Sequence, residues 1–308
     1  MITATPGALA RFLASDFLYS FRRSPVALIS AAIVVLCVAG AVLAPVIAPH
    51  NPFDLASLNL MDSFKPPMFL TDGDPSFPLG TDDQGRDVLS GIMYGSRISL
   101  VVGVLAIGFA LVVGISVGLV AGYLGGVVDS LLMRIADIQL TFPAILIALL
   151  VDGIVRSALP HNMHERLEIY VLVFAIGIAR WPQFARTVRG STMVERGRDY
   201  VMAARVIGLS APRIMWSHIL PNVLGPVLVI ATLNLGLAIL DEATLSFLGV
   251  GLPPTQPSLG TLIRIGNDFL FSGEWWVTIF PGISLAVLVL AINLLGDWLR
   301  DALNPRLR

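Results

Sequence analysis

The sequence predicts an all-α polytopic membrane protein with six transmembrane helices and both termini on the inner side. Three observations carry this expectation. The chain has 308 residues, of which 56% are hydrophobic and 13% charged, whereas charged residues make up about 25% of soluble domains. Its apolar residues gather into runs long enough to cross about 30 Å of hydrocarbon. Its basic residues fall mainly between alternate runs, as they do in loops on the cytoplasmic face.

Composition also excludes classes. The net charge is −1, which gives no reason to expect a nucleic-acid partner. Cys37 is the single cysteine, so no internal disulfide can form. Lys65 is the only lysine and sits in F-K-P-P. A phosphate-binding loop of the form G-x-x-x-x-G-K-[ST] is therefore impossible.

In chain order, residues 1–25 form an inner tail with Arg11, Arg22 and Arg23. Residues 26–48 carry no charge and form the first span. Ala39-Gly40-Ala41 resembles a signal-peptidase site, but the apolar run continues past it, so a retained anchor is expected. Residues 49–97 form an outer segment rich in Pro, Asp and Gly. With the first span they make one unit, 26–97, before a core of five spans, 98–308. The acids of this segment lack calcium-loop spacing, so a solvated loop is expected. Asp87 is placed to cap the helix that follows.

Residues 98–128 are the longest uncharged run. Ala106, Ala110, Gly114, Gly118 and Gly122 recur every four residues, a small-residue stripe for close helix contact. Gly125-Gly126 turns the chain inside. Residues 131–151 make a weaker span, with Arg134 and Asp137 spaced to pair and Pro143 placed to kink it. Residues 152–168 form a second outer loop. His161, His164 and Glu165 lie there without the spacing of a zinc protease motif, and a solvated loop is expected. Residues 169–185 recross, with Arg186 and Arg189 at the inner surface. Residues 219–240 form the fifth span. Asp241 and Glu242 follow it near the outer interface, either as a solvated end or as pathway lining. Residues 261–274 are outer, Trp275 and Trp276 suit the headgroup belt, and 275–296 form the last span before a basic tail.

Residues 195–222 are the main polar stretch between spans. Asp199 is placed to N-cap a helix ending at Ile207. Gly208 suits the left-handed position that closes it. Ser210 and Pro212 begin a second short helix. Two segments now resemble a known family. Ala203, Ala204, Gly208, Leu220 and Pro221 match the cytoplasmic loop of ABC importer permeases: Glu-Ala-Ala, three residues, Gly, nine residues, Ile-any-Leu-Pro. Met202 replaces the Glu, which at the third helical position would close a capping box. His218 replaces the Ile, with Ile219 one later. Gly80, Thr81, Asp82, Gly85, Arg86, Asp87 and Ser90 match the L-G-T-D-x-x-G-R-D-x-x-S segment of the dipeptide, oligopeptide and nickel subfamily, with Gly91 in place of its following Arg. The segment after Glu242 and the C-terminal tail also look like that subfamily.

The resemblance implies a type I ABC importer permease fold, with 195–222 as the coupling element, in a bacterial cytoplasmic membrane. It implies a second homologous permease, two ATPase subunits and an extracytoplasmic solute-binding protein as partners, besides membrane lipids. It implies no catalytic residue, metal or cofactor on this chain, ATP and Mg being held by the ATPase subunits. The alternative is an ATP-independent secondary transporter or channel; no internal repeat supports it. A membrane hydrolase would need a nucleophile or metal ligands that Asp241 and Glu242 do not supply.

Inner segments hold 14 basic residues and outer segments 6, which places Ser57 outside and Ser191 inside. Single cysteines at these positions, in a Cys37→Ala background, are tested with an impermeant maleimide on intact cells. Labelling is expected at 57 and not at 191; the reverse pattern overturns the topology.

Overall fold

A computed structural model describes residues 16–52, 58–158, 161–251 and 256–302, and every named element among them is helical. Ser57 and the side chains of His161, His164 and Glu165 lie outside the described residues. Among the described residues five helices are long and apolar enough to span a membrane, and a sixth crossing is made only if one bent helix pair is counted as a single span.

Helix α1 (Asp16–Arg23) leads into α2 (Pro25–Ile47). Ser24 separates them and accepts the Ala27 N–H at 3.2 Å. Helix α2 buries Ala27, Ser30, Ala41 and Ala44 and leaves most of its large apolar side chains exposed. That pattern suits a peripheral span facing lipid. Helix α3 (Val88–Leu124) has 37 residues, about 55 Å at 1.5 Å per residue. Gly125 and Gly126, with φ of 71° and 58°, turn the chain into α4 (Gly126–Leu140) and α5 (Ala144–Ala158).

These two helices correct the expectation of one kinked span, because they meet at 95°. Pro143 offers no N–H and disfavours a helical residue before it, so the helix ends instead of bending. The expected Arg134–Asp137 pair gives way to contacts with the next helix, α6 (His161–Glu195). Asp137 accepts from Arg186 Nε at 3.2 Å, and Asp129 accepts from Arg189 Nη2 at 2.6 Å.

Helix α6 runs straight through Pro182, so the expected inner end near Ala185 lies ten residues further on, at Glu195. Arg180 is consequently buried within the span and leaves the count of inner charges. The second outer loop is also corrected. Residues up to Ala158 are helical and Asp152 is fully buried.

The small-residue stripe of α3 packs on α6. A Cβ on Gly118 would lie 2.6 Å from Val188 Cβ, and one on Gly122 would lie 2.7 Å from Thr192 Cβ. Phe184 fills the groove at Gly114. Without these side chains the backbones approach closely, which maximises dispersion contact where lipid offers no hydrophobic drive. Phe184, Leu172, Ile176 and Leu119 form the buried centre of this contact.

Helix α7 (Asp199–Val206) follows on the inner side. Helix α8 (Ala211–Ile214) is not a separate surface helix. It continues through a widened π turn, Met215–Ile219, into α9 (Leu220–Phe247). Helix α10 (Leu259–Asn267) packs on α9 and α11 (Trp276–Ala302). It buries Leu259, Gly260, Thr261 and Gly266, so it is wedged into the bundle and does not lie flat on the interface.

Gly118→Leu is expected to destabilise the fold by about 1–3 kcal/mol through overpacking. Gly108→Leu, where a Cβ meets nothing within 4 Å, is the control. Melting of the two variants in detergent is compared with the unmodified chain; equal shifts would mean that the stripe does not set the α3–α6 distance.

Candidate functional site

The inner stretch forms a compact helix with a defined stop. The N-cap of α7 is Arg198, with no side-chain bond, and Asp199 is the first helical residue. This corrects the expected Asp199 cap. The Val201 and Met202 N–H groups both donate to the Arg198 carbonyl, at 3.0 and 3.1 Å. Met202 therefore stands fourth in the helix, out of reach of a capping box, and its replacement of Glu does not weaken the start in that way. Asp199 still favours the positive end of the helix dipole.

The helix ends at Gly208, whose φ is 85°. The Leu209 N–H donates to the Ala204 carbonyl at 3.1 Å and the Gly208 N–H to the Arg205 carbonyl at 3.0 Å. These two bonds form a Schellman closure. Val201 and Ala204 point inward and are buried. Met202, Val206 and Ile207 point outward at 54%, 88% and 77% exposure, beside exposed Ala203 and Gly208. An uncovered apolar surface of this kind marks an interaction site.

This surface is clamped to the spans by groups the sequence alone did not single out. Arg196 Nη1 donates to the carbonyls of Gly122 and Tyr123, each at 3.2 Å, closing the C-terminal end of α3. Arg205 lies over the Tyr123 ring, 4.9 Å from its centroid. Tyr200 donates to Glu195 Oε2 at 2.7 Å and accepts from Asn222 Nδ2 at 3.2 Å. Partial burial, then the neighbouring Glu195 carboxylate, pushes the Tyr200 hydroxyl up to about 12, so it remains a donor at neutral pH.

Leu220 and Pro221 open α9. Pro221 has no N–H for the Ser217 carbonyl and crowds it. The widened turn just before it absorbs one extra residue. Ile219 is fully buried there, while His218 is only partly so. The one-residue offset seen in the sequence at His218 and Ile219 thus coincides with this turn.

The outer motif is a closed knot, which corrects the expectation of a solvated loop. Thr81, Asp82, Arg86, Asp87 and Ser90 are all buried. Gly80 and Gly85 take φ of 80° and 75°. A Cβ on Gly80 would lie 2.7 Å from the Lys65 carbonyl and 2.8 Å from Trp276 Nε1. Asp82 Oδ1 accepts the N–H groups of Gln84 and Arg86, each at 2.9 Å, and its Oδ2 accepts Arg86 Nε at 2.7 Å. Asp87 caps α3, accepting the Ser90 N–H at 2.9 Å. Trp276 Nε1 donates to the Thr81 carbonyl at 3.0 Å, fastening the knot to the start of α11. Only the outer part of the segment stays wet. There Lys65 holds the Asp74 carboxyl down to about 2.

Neither acid is a solvated end: Asp241 is half-buried against Arg180 and Glu242 has no exposed surface with which to line a pathway. Glu242 is fully buried, accepting from Ser99 Oγ at 2.6 Å and Ser246 Oγ at 2.8 Å. Ser99 Oγ in turn accepts the Leu259 N–H at 3.3 Å, so the acid joins α3, α9 and α10. Asp241 accepts from Arg180 Nε at 2.9 Å. Arg156 bridges Asp152 Oδ2 at 2.7 Å, Glu168 Oε1 at 3.0 Å and the Gly251 carbonyl at 2.9 Å. No cluster suited to a metal occurs among the described residues.

Residues 114–308 match the family described as "Binding-protein-dependent transport system inner membrane component". Residues 13–67 match "N-terminal TM domain of oligopeptide transport permease C". A curated relative, "Dipeptide transport system permease protein DppC" of Haemophilus influenzae, is 39% identical over 293 residues, covering 95% of each chain. The protein of the same description from Escherichia coli K12 is 41% identical, covering 95% of this chain and 93% of its own. Among solved structures, "Inward facing conformations of the MetNI methionine ABC transporter" contains a similar chain. Its TM-score is 0.53 at 20% identity, covering 68% of this chain and 94% of that one. That likeness establishes the shared fold.

Asp82→Asn leaves the buried Arg86 without its main counter-charge. Such a loss costs on the order of 3 kcal/mol, softened here by Asp83 at 3.8 Å. Protease added to the outer face is expected to cut within 59–87 at least about tenfold faster, since about 1.4 kcal/mol is a factor of ten in local opening. Unchanged cleavage would mean that the pair does not hold the knot.

Proposed function

The chain belongs to the binding-protein-dependent transport inner-membrane component family, a membrane-spanning permease subunit of an ABC importer, and from that premise we propose a specific role. It carries dipeptides or closely related short peptides across the bacterial cytoplasmic membrane, with both termini inside. It pairs with a second, homologous permease. Two ATPase subunits, which hold ATP and Mg, sit beneath the pair, and an extracytoplasmic binding protein delivers solute from the other side.

The observation that carries this reading is the α7 surface. Met202, Ala203, Val206 and Ile207 are exposed and apolar, while the same helix is held against α3 through Arg205 and Tyr123 and against α9 through Tyr200 and Asn222. A rigid, apolar inner knob of this kind suits a groove on a partner that moves. When ATP draws the ATPase subunits together, α7 follows and the spans rearrange. ATP drives this only through differential binding to the two arrangements. The chain itself supplies no covalent chemistry. The family match leaves nothing in favour of an ATP-independent transporter.

Gly208→Ile is the test. A β-branched residue at φ 85° is strained by about 1–2 kcal/mol. Its side chain would meet nothing of this chain within 4 Å, and so would stand on the docking surface. Insertion and assembly are expected to survive. Solute uptake is expected to fall, and the stimulation of ATPase activity by loaded binding protein to vanish, in vesicles carrying the whole complex. Near-normal uptake and stimulation would refute the coupling role.

A further inference from the structure

Arg97, like Arg134, Arg213 and Arg300, has no ion pair among the described residues, unlike four other arginines of the bundle. Arg156, Arg180, Arg186 and Arg189 each face a carboxylate. Arg97 is exposed and has no ion pair or hydrogen bond among the described residues. It nevertheless stands at membrane depth. Val88, at the head of α3, packs with Trp276 and Val277 at the head of α11. Arg97 is nine residues further along, about 13 Å inward. Ile92 and Leu100, on either side of it, pack in one cluster with Leu285 and Leu288 of α11. A lone cation at that level is costly beside lipid and marks a solute or ion path by default.

The surroundings give that path a wall. Arg97 lines a cavity of about 380 Å³ between α3, the start of α6 and the segment before α10, together with Tyr94, Ile98, Val101, Ile169 and Gln256. The volume falls in the range of small-ligand sites. Its lining is apolar except for one phenol, one amide and one guanidinium. That combination suits a short peptide: the guanidinium fork matches a carboxylate and the apolar wall accepts side chains.

We propose that Arg97 receives a side-chain carboxylate of the passing peptide in the outer half of the translocation path, and so biases the importer toward anionic cargo. The proposal rests on the peptide-permease reading above. Its occupant is the cargo, not a lipid headgroup.

The whole complex, reconstituted in vesicles with saturating loaded binding protein, is assayed for uptake of Ala-Glu and Ala-Lys. Because the binding protein is unchanged, capture is constant. Arg97→Gln and Arg97→Glu are expected to lower Ala-Glu uptake by at least about tenfold, the scale of one lost charge-assisted contact, and Ala-Lys uptake by clearly less. Arg97→Lys should restore most of the Ala-Glu uptake. An equal loss for both peptides, or a loss that Arg97→Lys shares, would assign Arg97 to packing or to a lipid phosphate and overturn the proposal. So would the same pattern in Glu165→Gln, which would make Glu165 its partner. Normal uptake in Arg97→Glu overturns it too. If the unmodified complex imports neither peptide, the permease reading for peptides fails first, a result distinguishable from the others.

Discussion

The close approach of α3 to α6 sets the rest of the structure. Gly114, Gly118 and Gly122 leave room for Phe184, Val188 and Thr192, so these two long helices run together closely over about two turns. In a bilayer no apolar drive brings helices together, and such packing has to carry association. The register it fixes decides which charges meet. Arg186 and Arg189 fall opposite Asp137 and Asp129, and Arg180 falls opposite Asp241. At the inner end it brings Arg196 to the last carbonyls of α3. One set of missing side chains thus places three ion pairs and one helix cap.

The two matched segments use their residues in opposite ways. In the outer motif the buried polar side chains bond mainly to one another and to nearby backbone. Asp82 and Arg86 neutralise each other, Asp87 caps α3, and Thr81 offers its carbonyl to Trp276. Its role in this chain is to tie the head of α3 to the head of α11. In the inner stretch Arg196 and Asn222 bond toward the spans, while Met202, Val206 and Ile207 face out. A soluble helix would turn its Val206 and Ile207 inward; α7 leaves them exposed, as the proposed docking role requires. The contrast sets a closed structural clasp against an exposed apolar surface.

What could be read from the sequence was what depends on local spacing. The stripe on α3, the cap at Asp87, the turn at Gly125-Gly126 and the stop at Gly208 each follow from residues a few positions apart. What could not be read depends on partners far along the chain. Asp137 has a plausible partner three residues away in Arg134, yet α6 offers a better one once the helices pack. Asp241 and Glu242 look alike in sequence, but α6 gives one an arginine and α3 gives the other a serine. The break before Pro143 and the widened turn before Pro221 show the same limit. A proline marks where a helix must yield, and the packing around it decides whether the helix stops or merely widens.

These yielding points bear on how motion would pass from the inner surface to the path. The turn between α6 and α7 is clamped to α3 through a guanidinium with two carbonyl acceptors, and α7 is linked to α9 through a phenol and an amide. Both are short and directional, so α7 cannot shift without moving the inner ends of α3 and α9. Farther up, α3 is held by its glycine contact with α6 and by Asp87 in the outer knot. A displacement at the bottom therefore has to be absorbed where the helices are already irregular. The π turn Met215–Ile219 in the α8–α9 helix and the 95° junction between α4 and α5 are the irregular points nearest the inner end. Packed elements switch between discrete arrangements and do not deform smoothly.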